Sequence, residues 1–131
     1  MKKIGIINQP IAAVMAGLGH TDTVVIADAG LPIPDRPQRI DLALTQGIPA
    51  FLDTLRIILT EMQVERAVVA AEMIEVSPDL YRAVKTLLAN IPLETTPHET
   101  FKQQTHSARA VIRTGEFTPY ANIILVAGVV F

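Results

Sequence analysis

The chain has 131 residues and a formal net charge of −2, with 50% of its residues hydrophobic and 18% charged. That length suits one domain, and the composition excludes a disordered or heavily solvated chain. With no cysteine, disulfides, thiolate nucleophiles and cysteine-ligated metals are excluded, and without a basic field nucleic acid is not an expected partner.

Lys2-Lys3 before an apolar stretch imitates a secretory signal, but Asn8-Gln9-Pro10 interrupts it and reads better as a helix start. Asn8 is then the cap, and the helix over Ile11 to Leu18 stops at Gly17 and Gly19. Thr23 to Asp28 is a continuous apolar run closed by a carboxylate, which predicts a buried strand; Gly30, Pro32 and Pro34 make the following segment a loop. Ile40, Leu42 and Leu44 alternate with Arg39, Asp41 and Ala43, predicting a half-buried strand, and Gly47-Ile48-Pro49 opens a helix towards Met62. Val64 to Ala71 is another buried strand. Ser77-Pro78-Asp79 starts a helix through Leu88, and Leu93 to Thr95 is a short strand. Thr96-Pro97-His98-Glu99 fits a capping box, which places His98 in the first turn of a helix. Ala110 to Arg113 and Asn122 to Ala127 are the last two strands.

This alternation predicts α/β architecture: a single three-layer α/β/α domain over residues 1–131, with a mainly parallel, mixed central sheet. Ligands bind such sheets beyond the carboxyl ends of strands, so Asp28 marks the first place to look. The apolar run from Ile123 to Phe131 is too short to span a bilayer, which takes about 20 residues. No membrane partner is expected, and a cytoplasmic location is. A mean hydropathy of +0.36 leaves little polar surface for so small a chain, which points to a homo-oligomer.

Several chemistries lack their parts. Gly17-Leu18-Gly19 has no third glycine of a dinucleotide fingerprint, no phosphate-binding loop occurs, and neither Ser77 nor Ser107 lies in a nucleophile elbow. His20-x-Asp22 with Asp28 could in principle assemble a metal site, but no His-Glu-x-x-His pattern exists, and neither metal nor cofactor is expected. His98 and His106 fall eight residues apart on one predicted helix, too far to share an ion, and His106 reads as a surface residue. His20 follows a glycine-terminated helix and is presented from a turn, where an imidazole suits proton transfer. Asp22, Asp28 and Glu116 fall in loops or at strand ends, as reacting groups or as ordinary solvated carboxylates. The segment Gly115 to Asn122 offers Glu116, Tyr120 and Asn122 to sugar hydroxyls, or is simply a turn with a tyrosine anchor.

Five ordered motifs carry a resemblance: Gly19-His20-Thr21-Asp22, Asp28-Ala29-Gly30-Leu31-Pro32-Ile33-Pro34, Ile40 to Leu44, Val111 to Glu116, and Pro119-Tyr120-Ala121-Asn122. Together they resemble the ribose pyranase and fucose mutarotase family nearly end to end. The ribose branch fits better, because fucose-type members carry Gly-His-Gly-Asp and Asp-Ala-Asn-Phe-Pro at the first two motifs. The resemblance implies a cofactor-free, metal-free enzyme that interconverts the β-pyranose and β-furanose forms of D-ribose. It assigns His20 as general acid, with Asp28, His98, Tyr120, Ala121 and Asn122 binding the sugar. It further implies a ring-shaped homo-oligomer, a decamer of two stacked pentamers with sites near subunit interfaces. Met73 to Leu93 carries no motif and reads as scaffold. A fucose-type mutarotase, a non-catalytic ribose-binding protein and a purely structural oligomer are the alternatives.

Overall fold

The computed structural model describes residues 1–131 and contains one six-stranded sheet. In chain order its strands are β1 (Thr23–Ala27), β2 (Gln38–Asp41), β3 (Val64–Ala70), β4 (Leu93–Thr96), β5 (Ala110–Arg113) and β6 (Ile123–Ala127). They lie side by side as β2-β5-β1-β6-β3-β4. The pairs β1/β5, β2/β5 and β3/β4 are parallel, whereas β6 runs against both β1 and β3. The sheet is therefore mixed and mainly parallel. Five strands send their carboxyl ends to one edge, which is also where β6 begins.

The helices are α1 (Gln9–Gly17), α2 (Phe51–Leu59), α3 (Glu72–Val76), α4 (Pro78–Leu88) and α5 (His98–Gln104), followed by a 3₁₀ turn, Thr105–Ser107. Alternation along the strands sorts their side chains between two cores. Val24 and Ile26 of β1 join Phe51, Leu55, Val84 and Leu88 on the face covered by α2 and α4, while Val25 and Ala27 join Phe101 of α5 on the other. Phe51 and Phe101 are fully buried, each worth about 1.5–3 kcal/mol of apolar transfer, and they tie α2 and α5 to opposite faces. These are the three layers the alternating pattern predicts. No helix is long and apolar enough to cross a membrane.

The cap at Asn8 forms as read, its Oδ1 accepting from the Ile11 amide at 3.1 Å. Elsewhere local signals are overridden by tertiary partners. The strand expected over 40–44 is shifted towards the N-terminus: β2 ends at Asp41, whose Oδ1 accepts from the Ala43 amide and turns the chain away, leaving Leu44 80% exposed. The helix expected from Gly47-Ile48-Pro49 begins only at Phe51, because Gly47 and Pro49 are bonded to Gly115 instead. The capping box at Thr96 does not form. Thr96 completes β4, helix α5 starts at His98, and both Glu72 oxygens accept from the His98 amide at 3.0 and 3.1 Å. Ser77 does not cap α4 with its side chain either; its Oγ donates to the Pro119 carbonyl at 2.8 Å.

Candidate active site

At the carboxyl edge, Asp28 follows the last residue of β1 and Asn122 precedes the first of β6. Antiparallel pairing of these strands puts the two side chains face to face. Asn122 Oδ1 accepts from the Asp28 amide at 2.8 Å, and its Nδ2 donates to Asp28 Oδ2 at 2.9 Å. The other carboxylate oxygen of Asp28 accepts from the amides of Gly30 and Leu31, at 2.9 and 2.8 Å, folding the loop back over the strand end. Asn122 is buried, so this two-point lock is shielded from water and gives Asp28 a single orientation.

Tyr120 adopts φ +61°, a left-handed conformation that costs a non-glycine residue about 1–2 kcal/mol. The surrounding bonds enforce it: Asn122 N–H donates to the Tyr120 carbonyl at 2.8 Å, Ala121 N–H to that of Thr118 at 3.3 Å, and Ser77 holds Pro119. The Tyr120 ring meets the His98 ring edge-on with centroids 5.0 Å apart, and His98 stacks on Phe101 at 6.2 Å. His98 Nδ1 is buried with no hydrogen-bond partner, the kind of polar atom whose desolvation a ligand hydroxyl would offset. Asp28, His98, Tyr120 and Asn122 share the lining of a cavity of about 320 Å³. Ala121 does not line it, since its methyl is packed into the larger core.

An adjoining cavity of about 390 Å³ shares Asp28 and Gly30 with the first and is bordered by Arg113 and Glu116. Neither of these side chains is free. Arg113 donates to the Ala29 carbonyl and to both oxygens of Asp41. Glu116 Oε2 accepts from the Phe51 amide at the start of α2, and Oε1 accepts from the amide and hydroxyl of Thr118. Burial pushes the Glu116 carboxyl up, but the bonds from Thr118 and Phe51 outweigh it and hold the group below the ordinary glutamate range. Glu116 is thus neither a free reacting group nor an ordinary solvated carboxylate: both its oxygens are taken up in bracing the loop. Gly115 is closely approached: a Cβ there would lie 2.4 Å from the carbonyl oxygens of both Thr45 and Ile48.

His20 lies elsewhere. It precedes β1, whose five residues separate it from the Asp28 edge by roughly 17 Å. Its turn is tied down on all sides: the Gly19 amide donates to Asp22 Oδ2, the Thr21 amide to the Ala127 carbonyl, and Arg109 Nε pairs with Asp22 Oδ1 at 3.0 Å. The Gly19 amide and Arg109 hold the Asp22 carboxyl below its ordinary range. The His20-Asp22-Asp28 combination weighed for a metal is thus not assembled within one chain. No group of three His, Asp or Glu side chains lies close enough together to hold an ion. His106 is exposed on the 3₁₀ turn beyond α5, off the helix that carries His98.

Two side chains outside the predicted site residues support the site. Glu72 opens α3, just before the stretch that reads as scaffold, and Ser77 follows that helix; they hold the His98 amide and the Pro119 carbonyl respectively. Neither role has a local signal: Glu72 stands in no motif, Ser77 stands in one for a helix start, and each acts across the fold on a backbone group. The site that results offers an acceptor-only carboxylate, a buried amide, a phenol, an imidazole and ring edges, which is the equipment for gripping a small polyol.

Residues 1–130 match the model of the RbsD / FucU transport protein family. The chain is similar to D-ribose pyranase of Coprothermobacter proteolyticus, at 56% identity over 131 residues covering all of both chains. It is also similar to the structure of Bacillus subtilis RbsD complexed with D-ribose, with TM-score 0.98 and 51% identity over the whole of both chains. The fucose mutarotase of Streptococcus pneumoniae, solved in complex with L-fucose, has the same fold, with TM-score 0.83 at 23% identity over all of both chains.

Proposed function

The chain belongs to the RbsD / FucU transport protein family, and from that membership we propose that it is an isomerase interconverting the β-pyranose and β-furanose forms of D-ribose. The observation that carries this reading is the locked Asp28–Asn122 pair opposite His98 and Tyr120, in a chain that matches a ribose-complexed relative along its full length. Asp28, His98, Tyr120, Asn122 and the backbone at Ala121 hold the sugar hydroxyls. His20 serves as the proton donor.

Ring opening needs a proton delivered to the ring oxygen, cleavage of its bond to C1, and removal of the proton on the anomeric hydroxyl, which becomes the aldehyde oxygen. In reclosure the C4 hydroxyl oxygen attacks C1, loses its proton, and the aldehyde oxygen regains one. No net proton, electron or group is exchanged, so the reaction asks for positioned acids and bases alone. Such catalysis is worth about 10²–10⁴-fold. A kinase acting on the C5 hydroxyl cannot use the pyranose, where that oxygen is in the ring, so this step supplies its substrate in the cytoplasm.

Because His20 and Asp28 flank opposite ends of β1, one sugar can meet both only between two copies. The assembly we propose is a homo-oligomer, two stacked pentameric rings with sites where subunits meet. The distribution of exposed apolar side chains supports it: Val130 and Phe131 border the cavity beside His20, and Phe117 borders the one beside Asp28. Saturation-transfer NMR between ribopyranose and ribofuranose signals, with and without the protein, tests the function. Accelerated ribose exchange that resists chelator is expected; unchanged exchange, or acceleration of fucose alone, would overturn it.

A further inference from the structure

Glu65 stands at an irregularity of the sheet. Along the β3/β6 ladder Val64 pairs with Ala127 and Arg66 with Val126, so Glu65 is an extra residue, a β-bulge. Bulges re-aim side chains, at the expense of a regular ladder. Here the bulged residue reaches His20, with Glu65 Oε2 2.8 Å from His20 Nε2. Room for it is kept by Gly128, where a Cβ would come within 3.1 Å of Glu65 Cβ.

The neighbouring carboxylates are engaged elsewhere. Glu61 accepts from the Ile6 amide and pairs with Lys2, and Asp22 is held by the Gly19 amide and Arg109. The hydrogen bond to His20 is the one bond that the Glu65 carboxylate makes. An ionised carboxylate only accepts, so Nε2 must carry the hydrogen of this bond. In imidazoles the bond made by one nitrogen decides which nitrogen is left for chemistry.

We propose that Glu65 is a positioning residue: carried on the bulge, it keeps a hydrogen on His20 Nε2, so that the imidazolium gives its Nδ1 proton to the ribose ring oxygen, is left as the neutral Nε2–H tautomer, and takes the proton back at Nδ1. The inference rests on the reading of His20 as proton donor. Glu65 touches the imidazole and not the sugar, so it acts on the rate and leaves ribose affinity alone.

Glu65→Gln is the discriminating variant, because a glutamine can present either oxygen or nitrogen to Nε2 and no longer dictates the tautomer. Position 65 is exposed, so the change leaves the core untouched. The full-length protein is assayed by saturation-transfer NMR for kcat and KM on ribose, by titration calorimetry for ribose affinity, and by ¹⁵N NMR of His20 above its titration. The expected results for Glu65→Gln are a kcat lower by about 10–100-fold, unchanged ribose affinity, and a His20 spectrum that moves from the Nε2–H form to a mixture. Glu65→Asp, which keeps the acceptor on a shorter arm, should recover part of the rate. A Glu65→Gln protein with normal kcat, or one that loses ribose affinity in step with kcat, would overturn the proposal. His20→Ala run alongside separates the two failures: a fully active His20→Ala protein removes the proton-donor reading itself, whereas an inactive one beside a normal Glu65→Gln protein removes the role of Glu65 alone.

Discussion

Replacing Asn122 by aspartate changes one NH₂ group into an oxygen and leaves the shape of the side chain intact. In the native chain that NH₂ donates to Asp28 Oδ2 at 2.9 Å, and the residue is 1% exposed. Two unit charges at that separation repel by roughly 6 kcal/mol in an effective dielectric of about 20. Protonating one carboxyl at pH 7 costs less, about 1.4 kcal/mol for each unit above the ordinary aspartate value near 3.9, or roughly 4 kcal/mol in all. The variant therefore folds with an extra proton that its unfolded chain does not bind at neutral pH. Its stability must fall as pH rises, by roughly 2.7 kcal/mol between pH 5 and pH 7. Urea unfolding of the native and Asn122→Asp proteins at both values measures the difference directly, and ribose titration under the same conditions should show affinity returning at pH 5. A variant as stable as the native protein at pH 7, or one equally weakened at both values, would refute the electrostatic account of the Asp28–Asn122 lock.

Gly115→Ala should cost about 1–3 kcal/mol and weaken ribose binding, because the new methyl meets two fixed carbonyl oxygens; Gly17→Ala, with open space around it, should not destabilise, and unfolding midpoints compare the two. Glu116 has a depressed folded-state pKa, so its contribution is complete above the ordinary value of 4.5 and is lost as pH falls through the lower folded value. Acid titration of stability should therefore show a loss in that window that Glu116→Gln lacks. Ser77→Ala should weaken ribose binding, by about 0.5–1.5 kcal/mol for the lost bond to Pro119, in calorimetry. His106→Ala should change neither affinity nor rate, and the same NMR exchange assay checks it.

The layers were legible because alternation and β-branched runs report burial directly: Val24 to Ala27 read as buried on both faces, and they are. The position of Asp28 was legible for the same reason, as the first polar residue past a buried strand. What stayed hidden depends on partners distant in sequence. Thr96 carries the local signal for a cap, yet the His98 amide is taken by Glu72, 26 residues away. Asn122 and Asp28 are 94 residues apart and meet only because β6 runs antiparallel to β1, a fact of strand order that periodicity does not encode. The separation of His20 from Asp28 was readable in principle, since a buried strand lies between them. Motif resemblance implies sites near subunit interfaces, and the strand between the two residues is the physical reason for proposing that one site draws on two chains. The bulge at Glu65 is not separable from a strand end in the sequence, because the polar pair Glu65-Arg66 stands at the start of an otherwise apolar run.

The central claim is that one sugar is held by Asp28 and His98 of one copy and protonated by His20 of another. Subunit complementation tests it most directly: a His20→Ala protein and an Asp28→Asn, His98→Ala double variant, each inactive alone, are dissociated, mixed in equal amounts and reassembled. Random assembly leaves about a quarter of the intersubunit sites with every native side chain, so ribopyranose–ribofuranose exchange should return to about a quarter of the native rate. Mixed assemblies that form fully and remain as inactive as their parents would contradict the account, since only a site built within one chain predicts that result.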